Sequence, residues 1–461
     1  MKTWRKIIMT ATLCLSTNNL LSQQLASGFF TDGFLYRHEM NPAMDNSQGY
    51  ISFPALGNVN VGLRGNVALS DFIYVRDGKT VLFMNPMVSS DDFLSHIKDK
   101  NRINAEVKMG IMSFGFKAFK GYNTVALNLR SNVNGVLPGE LFRMAKEGLK
   151  NQTYDLSATS FHADAFLELA LGHSHQLDKH WQIGAKIKFL VGGGNIDAKF
   201  NQAKFELSDD YWTAVTDAEV QSSIKNMTYK KEEKLRGPEG EQTRHEYVSG
   251  IDTDGFGLNG FGLAFDLGAS YRLNDDWKFG LSVLDLGFIY WKNNMLATTG
   301  GSKTVSTDDY IFSADDDASN SFSNEWDRFT EGLSSLYELE DKGDQGSRTR
   351  ALGATVNVSA EYSCPFYRPL KFGLLNTTKI QGDFSWTEFR LSANVAPLKW
   401  FSASTDFAEG TFGPAIGMLI NLHPQHFNLF VGMDYTFWSL AKQGVPKSSK
   451  CNASIGVNFP L

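Results

Sequence analysis

Apolar side chains fall on every second position through long stretches of this chain. From Phe161 to Leu171 they are Phe161, Ala163, Ala165, Leu167, Leu169 and Leu171. From Trp181 to Val191 they are Trp181, Ile183, Ala185, Ile187, Phe189 and Val191. Val59, Val61 and Leu63 repeat the pattern, as do Val107, Met109 and Ile111, and Val125, Leu127 and Leu129. Leu352 to Ala360 and Phe427 to Phe437 read alike. Successive side chains of a strand point to opposite faces, so a period of two predicts strands with one apolar face. The segments run to roughly 10–17 residues, whereas soluble strands average about 5–6 and a tilted membrane strand needs about 9–11. Their length favours strands that cross a bilayer.

The connections come in two sizes. Tight ones stand at Lys120–Asn123, Leu177–His180, Leu273–Asp276, Cys364 onward, Ala396-Pro397 and His423–Gln425. Long polar ones cover about 70–104, 135–160, 195–257 and 292–349. Barrels of outer membranes have short turns on the periplasmic side and long loops outside. Strand starts near 58, 105, 122, 161, 180, 258, 276, 350, 367, 384, 398, 412, 426 and 449 make about 14 strands. They put every tight turn on one side and every long loop on the other. The expected fold is all-β: an antiparallel transmembrane β-barrel over 58–461, preceded by a plug-like or periplasmic segment at 23–57. Short helices are expected in the outer loops: one capped by Ser89 or Ser90 and running to Ile97, one over 138–149 opened by Pro138, and one over Ser323–Leu339. The last carries Trp326, Phe329, Leu333, Leu336 and Tyr337 along one side.

Composition sharpens this picture. Phe numbers 35 and Gly 42, against 12 Pro, with 42% hydrophobic residues in all. That suits strands showing apolar side chains to lipid on one face only; a soluble periplasmic β-protein shares the alternation. Lys2, Arg5 and Lys6, then the apolar stretch Ile7–Leu15, then small residues to Ser22-Gln23, have the layout of a cleaved secretory signal at 1–22. Removing it takes the formal charge from −6 to −9, which leaves no basic footprint for nucleic acid. Cys14 leaves with the leader, so Cys364 and Cys451 remain, neither a disulfide framework nor a zinc spacing.

Candidate chemistry is sparse. Gly255, Gly257 and Gly260 fit G-x-G-x-x-G, but the motif runs into an alternating strand rather than a helix, so it is no dinucleotide site. His173, Ser174 and His175 lack an orienting acid, and Ser174 faces away from both imidazoles. No catalytic, metal or cofactor residue is assigned, and no enzyme is expected. Asn41-Pro42-Ala43 lies ahead of the first strand, where it is either an ordinary turn or part of a plug. Phe29, Phe30, Phe34, Phe53 and Leu56 in the same segment favour folding into or against the barrel. Trp181, Trp277 and Trp400 are expected on the lipid face near the turn end, and Trp291 and Trp438 near the loop end.

Two hairpins carry a resemblance: LGHSHQLDKHWQIGAKIKFLVGGGN (Leu171–Asn195) and GLAFDLGASYRLNDDWKFGLSVLDLGFIYWKNN (Gly262–Asn294). With Asn41-Pro42-Ala43, they resemble a Bacteroidetes outer-membrane β-barrel family of unknown function, DUF5723. That family is distantly similar to the long-chain fatty-acid transporters of the FadL type. The resemblance implies 14 strands, an N-terminal plug bearing Asn-Pro-Ala, and passive uptake of small hydrophobic compounds. The alternative is a barrel that anchors a secretion or surface-attachment complex through its outer loops. The implied partners are outer-membrane lipid and either a small hydrophobic ligand or such a complex. The stripe Trp326, Phe329, Leu333 and Leu336 would serve as a lid in the first case and a docking face in the second.

Overall fold

The computed structural model describes residues 26–53, 57–67, 71–236, 243–253, 255, 257–311, 321–435 and 451–461. The expected leader, Leu56 and Trp438 lie outside these residues. Fourteen strands form the wall. They are β1 (Tyr50–Ser52, resuming as Val59–Gly65), β2 (Lys100–Ala118), β3 (Gly121–Pro138), β4 (Ser160–Gln176), β5 (Trp181–Leu207), β6 (Gly260–Arg272) and β7 (Trp277–Trp291). Then come β8 (Arg348–Ala351, resuming as Ala354–Ser363), β9 (Leu370–Ile380), β10 (Trp386–Leu398), β11 (Phe401–Gly410), β12 (Ala415–Leu422), β13 (Asn428–Tyr435) and β14 (Cys451–Pro460). Each pairs antiparallel with its neighbours in sequence, and β14 returns to β1 through Tyr50↔Pro460 and Val59↔Ile455. Closure leaves no sheet edge, which a wall in lipid requires. The first strand starts at Tyr50, ahead of the expected Asn58: Tyr50–Ser52 already pairs with β2 and β14, and the strand resumes at Val59.

The alternation sorts in the direction expected of a membrane wall. On β4, His162, Asp164 and Glu168 are buried inside, while Leu169 and Leu171 are exposed. On β10, Glu388, Arg390, Ser392 and Asn394 are buried, while Phe389 and Leu391 are exposed. Phe265, Leu281, Leu374, Phe407, Ile420 and Val431 continue the outer apolar face. An apolar belt of that extent is at home in lipid and not in water. Trp181, Trp277 and Trp400 are exposed beside the short turns, as expected. Trp291 is 1% exposed and points inward, against Phe166, Leu190, Ala264 and Ile289. The irregularity at Asp285 reverses the phase of β7, so Trp291 falls inward with Ile289, whereas Trp277, Phe279 and Leu281, in the same odd series before it, face outward.

Six short turns lie at one end. Between β2 and β3, Phe119 and Lys120 both have positive φ, 54° and 58°, which gives the hairpin turn whose twist matches the strands. The long connections gather at the other end and fold on themselves. A hairpin (Ile73–Arg76 with Lys79–Leu82) and helices α1 (Ser90–Leu94) and α2 (Gly139–Glu147) share a core around Val88, Phe93 and Phe142. Ser89 Oγ accepts from the Asp92 amide, so the expected cap is present. β5 continues past the wall and pairs with Trp212–Ile224, which pairs in turn with Asn294–Thr298 and Lys303–Ser306. Helix α3 (Phe322–Ser335) lies beside this outer sheet, with Gly332 against Val305 and Tyr310.

Candidate functional site

Residues 26–49 enter the barrel and fill its turn-end half. Phe29, Phe30, Phe34, Leu35, Tyr36, Met40 and Met44 form one cluster with wall residues Tyr50, Leu375, Leu419 and Phe430. Phe34 meets Phe430 edge-on at 5.0 Å. Burying a Phe side chain is worth about 1.5–3 kcal/mol, so the segment's aromatic content drives it inward. Phe53 does the opposite: it is exposed and packs against Phe459, because by then the chain has entered the wall.

Polar contacts fix the position of the plug. Ser27 Oγ donates to Asp434 at 2.5 Å, and the Ser27 carbonyl accepts from Ser404 at 2.7 Å. Asp32 pairs with Lys371 at 2.7 Å, and its carbonyl accepts from Ser402 at 2.6 Å. Asn428 donates to the Gly33 carbonyl at 3.1 Å. Tyr36 donates to Asn458 at 2.5 Å. Glu39 pairs with Lys108 at 2.9 Å. His38 lies 3.0 Å from Lys186 Nζ through Nδ1 and 3.0 Å from the Tyr50 hydroxyl through Nε2. A lysine ammonium only donates, so Nδ1 must accept and Nε2 must carry the proton. Burial, reinforced by Lys186 and Lys108, holds the imidazole neutral well below its ordinary range.

Asn41-Pro42-Ala43 sits low on the wall, beside Gly184, Gly268 and Ala269, within a few residues of the short turns. Asn41 Oδ1 accepts from the Ala43 amide at 2.9 Å, an Asx turn, and Nδ2 donates to Ala269 O at 3.2 Å. The Met40 carbonyl just before it accepts from Ser282 at 2.7 Å and from Asn357 at 2.9 Å. Two wall glycines make the room. A Cβ on Gly184 would fall 2.6 Å from Ala43 N and closer still to the Pro42 carbonyl. One on Gly268 would fall 2.8 Å from Pro42 Cδ. Gly184 and Gly268 face each other across β5 and β6.

Above the plug the lumen carries two buried ionic clusters that the sequence reading did not single out. Arg130 grips Asp285 with two 2.9 Å hydrogen bonds and Glu168 with one of 2.8 Å. Lys188 bridges Asp285 at 2.6 Å and Asp266 at 2.7 Å. Asp285 has φ 58°. It sits where the β6–β7 register slips between Phe265 and Leu267, a bulge that turns its carboxylate onto both cations. In the second cluster Arg390 pairs with Glu388 at 2.8 Å, with Asp434 at 2.9 Å and with Asp406. The signal for all but Asp285 was their phase: each is a charge on the lumen side of an alternating strand, whereas Asp285 reaches the lumen through its bulge. Between the clusters and the plug lies a cavity of about 50 Å³, lined by Arg64, Glu106, Arg130, Lys379, Trp386 and Glu388 among others.

The loop-helix stripe does not stay on one face. Phe329 packs edge-on against Tyr310 at 5.3 Å, and Leu336 is buried where its carbonyl accepts from Thr216 at 2.6 Å. Trp326 and Leu333 are exposed. The helix therefore uses one side to join the outer sheet and shows Trp326 and Leu333 to its surroundings. His173 and His175 stack on each other with centroids 5.9 Å apart, and Ser174 is buried on the opposite face.

The chain matches the family described as DUF5723, of unknown function, over residues 42–434. No curated protein matches it significantly. Solved structures similar to it include the Ralstonia pickettii toluene transporter TbuX, at 8% identity and a TM-score of 0.42, covering 96% of each chain. The Pseudomonas putida toluene transporter TodX aligns at 7% identity and a TM-score of 0.43, over 96% of this chain and 98% of that one. A Pseudomonas aeruginosa FadL homologue aligns at 9% identity and a TM-score of 0.39, over 95% and 94%.

Proposed function

The chain belongs to the DUF5723 family of unknown function, and we propose that it is a bacterial outer-membrane barrel for passive, gated uptake of small hydrophobic compounds. One observation carries this reading. The wall beneath the plug is apolar at Leu375, Leu419 and Phe430, a patch separate from the Trp291 cluster in a mostly polar lumen, and the plug's own Phe rings cover it. A partial withdrawal of the plug uncovers a patch where an apolar guest replaces a phenyl ring at little cost. A purely structural barrel has no need of 14 strands, since eight already close on their own side chains; the wider wall leaves a space that a separate segment must seal. Deleting residues 26–48 while keeping Tyr50–Ser52 in the wall tests this. Entry of an apolar fluorophore into liposomes carrying the folded variant should rise. Unchanged entry, with heat-modifiable migration intact, would rule out the gate.

A second reading has its own support. The cavity beside the plug is about 50 Å³ and ionic, too small for an apolar compound, and the outer loops form a folded platform that displays Trp326 and Leu333. Those features suit a barrel that anchors a surface or secretion complex. Replacing Trp326 and Leu333 by Ser separates the two. Loss of crosslinked partners with normal entry favours the anchor, and altered entry with the same crosslinks favours uptake.

A further inference from the structure

The cavity between the plug and the two ionic clusters has unspent hydrogen-bond donors. Arg64 and Trp386 both line it. Arg64 Nη1 and Trp386 Nε1 are buried without a partner, in residues only 3% and 4% exposed. A buried donor left unmade is costly, and more so when charged. The Arg64 guanidinium stacks over the Trp386 ring at 4.4 Å, so the two side chains form one piece of the cavity wall. The carboxylate nearest Arg64, Glu388, stands off at 4.0 Å while Arg390 holds it at 2.8 Å. Lys379, a third cation on the cavity, has its nearest carboxylate, Glu106, at 3.9 Å.

The acids around the cavity are mostly committed elsewhere. Asp285 is gripped by Arg130 and Lys188, and Glu388 by Arg390. Glu106 alone is loosely held, 3.8 Å from Arg130 and 3.9 Å from Lys379. What the space lacks is therefore an acceptor. One water needs about 10–15 Å³ of such volume, so about 50 Å³ admits one small anion and nothing with a tail.

We propose that this cavity binds one small monovalent anion, a halide or a short carboxylate, held by Arg64 and Trp386 with Lys379 supplying charge. Such an anion closes the electrostatic gap between the two clusters directly above Met40 of the plug. The site stands whether or not the barrel conducts apolar compounds.

The test uses the full chain in detergent micelles at constant ionic strength, with gluconate, too bulky for the cavity, replaced stepwise by chloride, bromide or formate. Specific binding should raise the midpoint of thermal unfolding by a constant increment for each tenfold rise in anion above its dissociation constant. Halides alone, or formate alone, identifies the source. Arg64→Gln and Trp386→Phe should abolish or shrink the rise. No rise in the native chain, or an equal rise in Arg64→Gln, means that the cavity holds water only and overturns the proposal. If Arg64→Gln does not fold, bromide-soaked crystals of the native chain decide: an anomalous peak between Arg64 and Trp386 supports the site, and its absence at high bromide refutes it.

Discussion

Changing Gly184 to Ala tests whether the Asn41-Pro42-Ala43 turn is seated by the wall. The added methyl meets Ala43 N at 2.6 Å and the Pro42 carbonyl closer still. Both are backbone atoms, so no side-chain rotation relieves the clash. Overpacking of a filled site costs about 1–3 kcal/mol. If the turn lifts instead, it forfeits the Asn41 bond to Ala269 and the bonds that Ser282 and Asn357 give to Met40, at about 0.5–1.5 kcal/mol each. Three such bonds come to about 1.5–4.5 kcal/mol, so the clash is the smaller cost and weakens local docking by about 1–3 kcal/mol, or roughly 5- to 150-fold in the lifted population. Hydrogen exchange of peptides spanning 36–48 reads that population directly, because local opening exposes the Ala43 and Met44 amides. Gly135→Ala is the control, since a Cβ there has nothing within 4 Å. Pro42→Ala should not rescue Gly184→Ala, because the offended atoms are main chain. Equal exchange in Gly184→Ala and Gly135→Ala would falsify the seating.

Other outcomes follow from the lumen and the loops. Asp285→Ala strips a buried partner from Arg130 and Lys188 at once and should destabilise the barrel by about 3–5 kcal/mol, read as earlier loss of heat-modifiable migration. Asp285→Asn should lose less, because Asn tolerates the positive φ. The undocked His38 imidazole titrates near 6.5, while the docked one is held neutral well below that. The released plug therefore takes up the extra proton, so docking is full above about pH 6.5 and weakens as pH falls below it. Exchange at 36–48, corrected for its intrinsic pH dependence, should rise between about pH 6.5 and 5, and His38→Gln should flatten the rise. In the loop helix, Leu336→Ala should cost about 2–5 kcal/mol of outer-sheet stability, while Trp326→Ser should cost within about 0.5 kcal/mol, as measured by limited proteolysis of the outer loops.

The wall was legible because a closed barrel obeys one rule along its whole length. Strand starts read from alternation fall close to those observed, from Lys100 on β2 to Cys451 on β14. The first strand was misplaced because its opening piece, Tyr50–Ser52, already belongs to the wall and is too short to show an alternation of its own. Trp291 was misassigned for a different reason. A Trp at a strand end fits a lipid girdle and a lumen cluster equally well, and only the phase relative to Ile289 decides between them. The loop stripe split because helical spacing shows which side chains share a face, not which of them a neighbouring sheet covers. The ionic clusters were visible as single residues, Arg130, Glu168, Lys188 and Asp285, but their pairing joins positions far apart in the chain. Nothing in local spacing announces it.

The same inside-out arrangement limits how the plug can move. In a soluble fold a segment this rich in Phe is gripped by apolar walls on every side. Here the lumen face is mostly Asn, Ser and charge, so the apolar grip is confined to Leu375, Leu419, Phe430 and Tyr50. The rest of the hold is a series of separate polar contacts at Ser27, Asp32, Gly33, Tyr36, His38, Glu39, Met40 and Asn41. At about 0.5–1.5 kcal/mol each, with several buried rings at about 1.5–3 kcal/mol, ejecting the whole segment lies beyond thermal reach. Releasing one stretch of it does not. The stretch from His38 to Ala43 is the natural candidate. It borders the cavity beneath the ionic clusters through Met40, its seat depends on two glycines, and its polar contacts include the His38 imidazole, which the docked state keeps from taking a proton. On the uptake reading proposed above, lifting this stretch would be the first step, and a guest would reach the patch at Leu375, Leu419 and Phe430 only when one of Phe29, Phe30 and Phe34 then gives up its place.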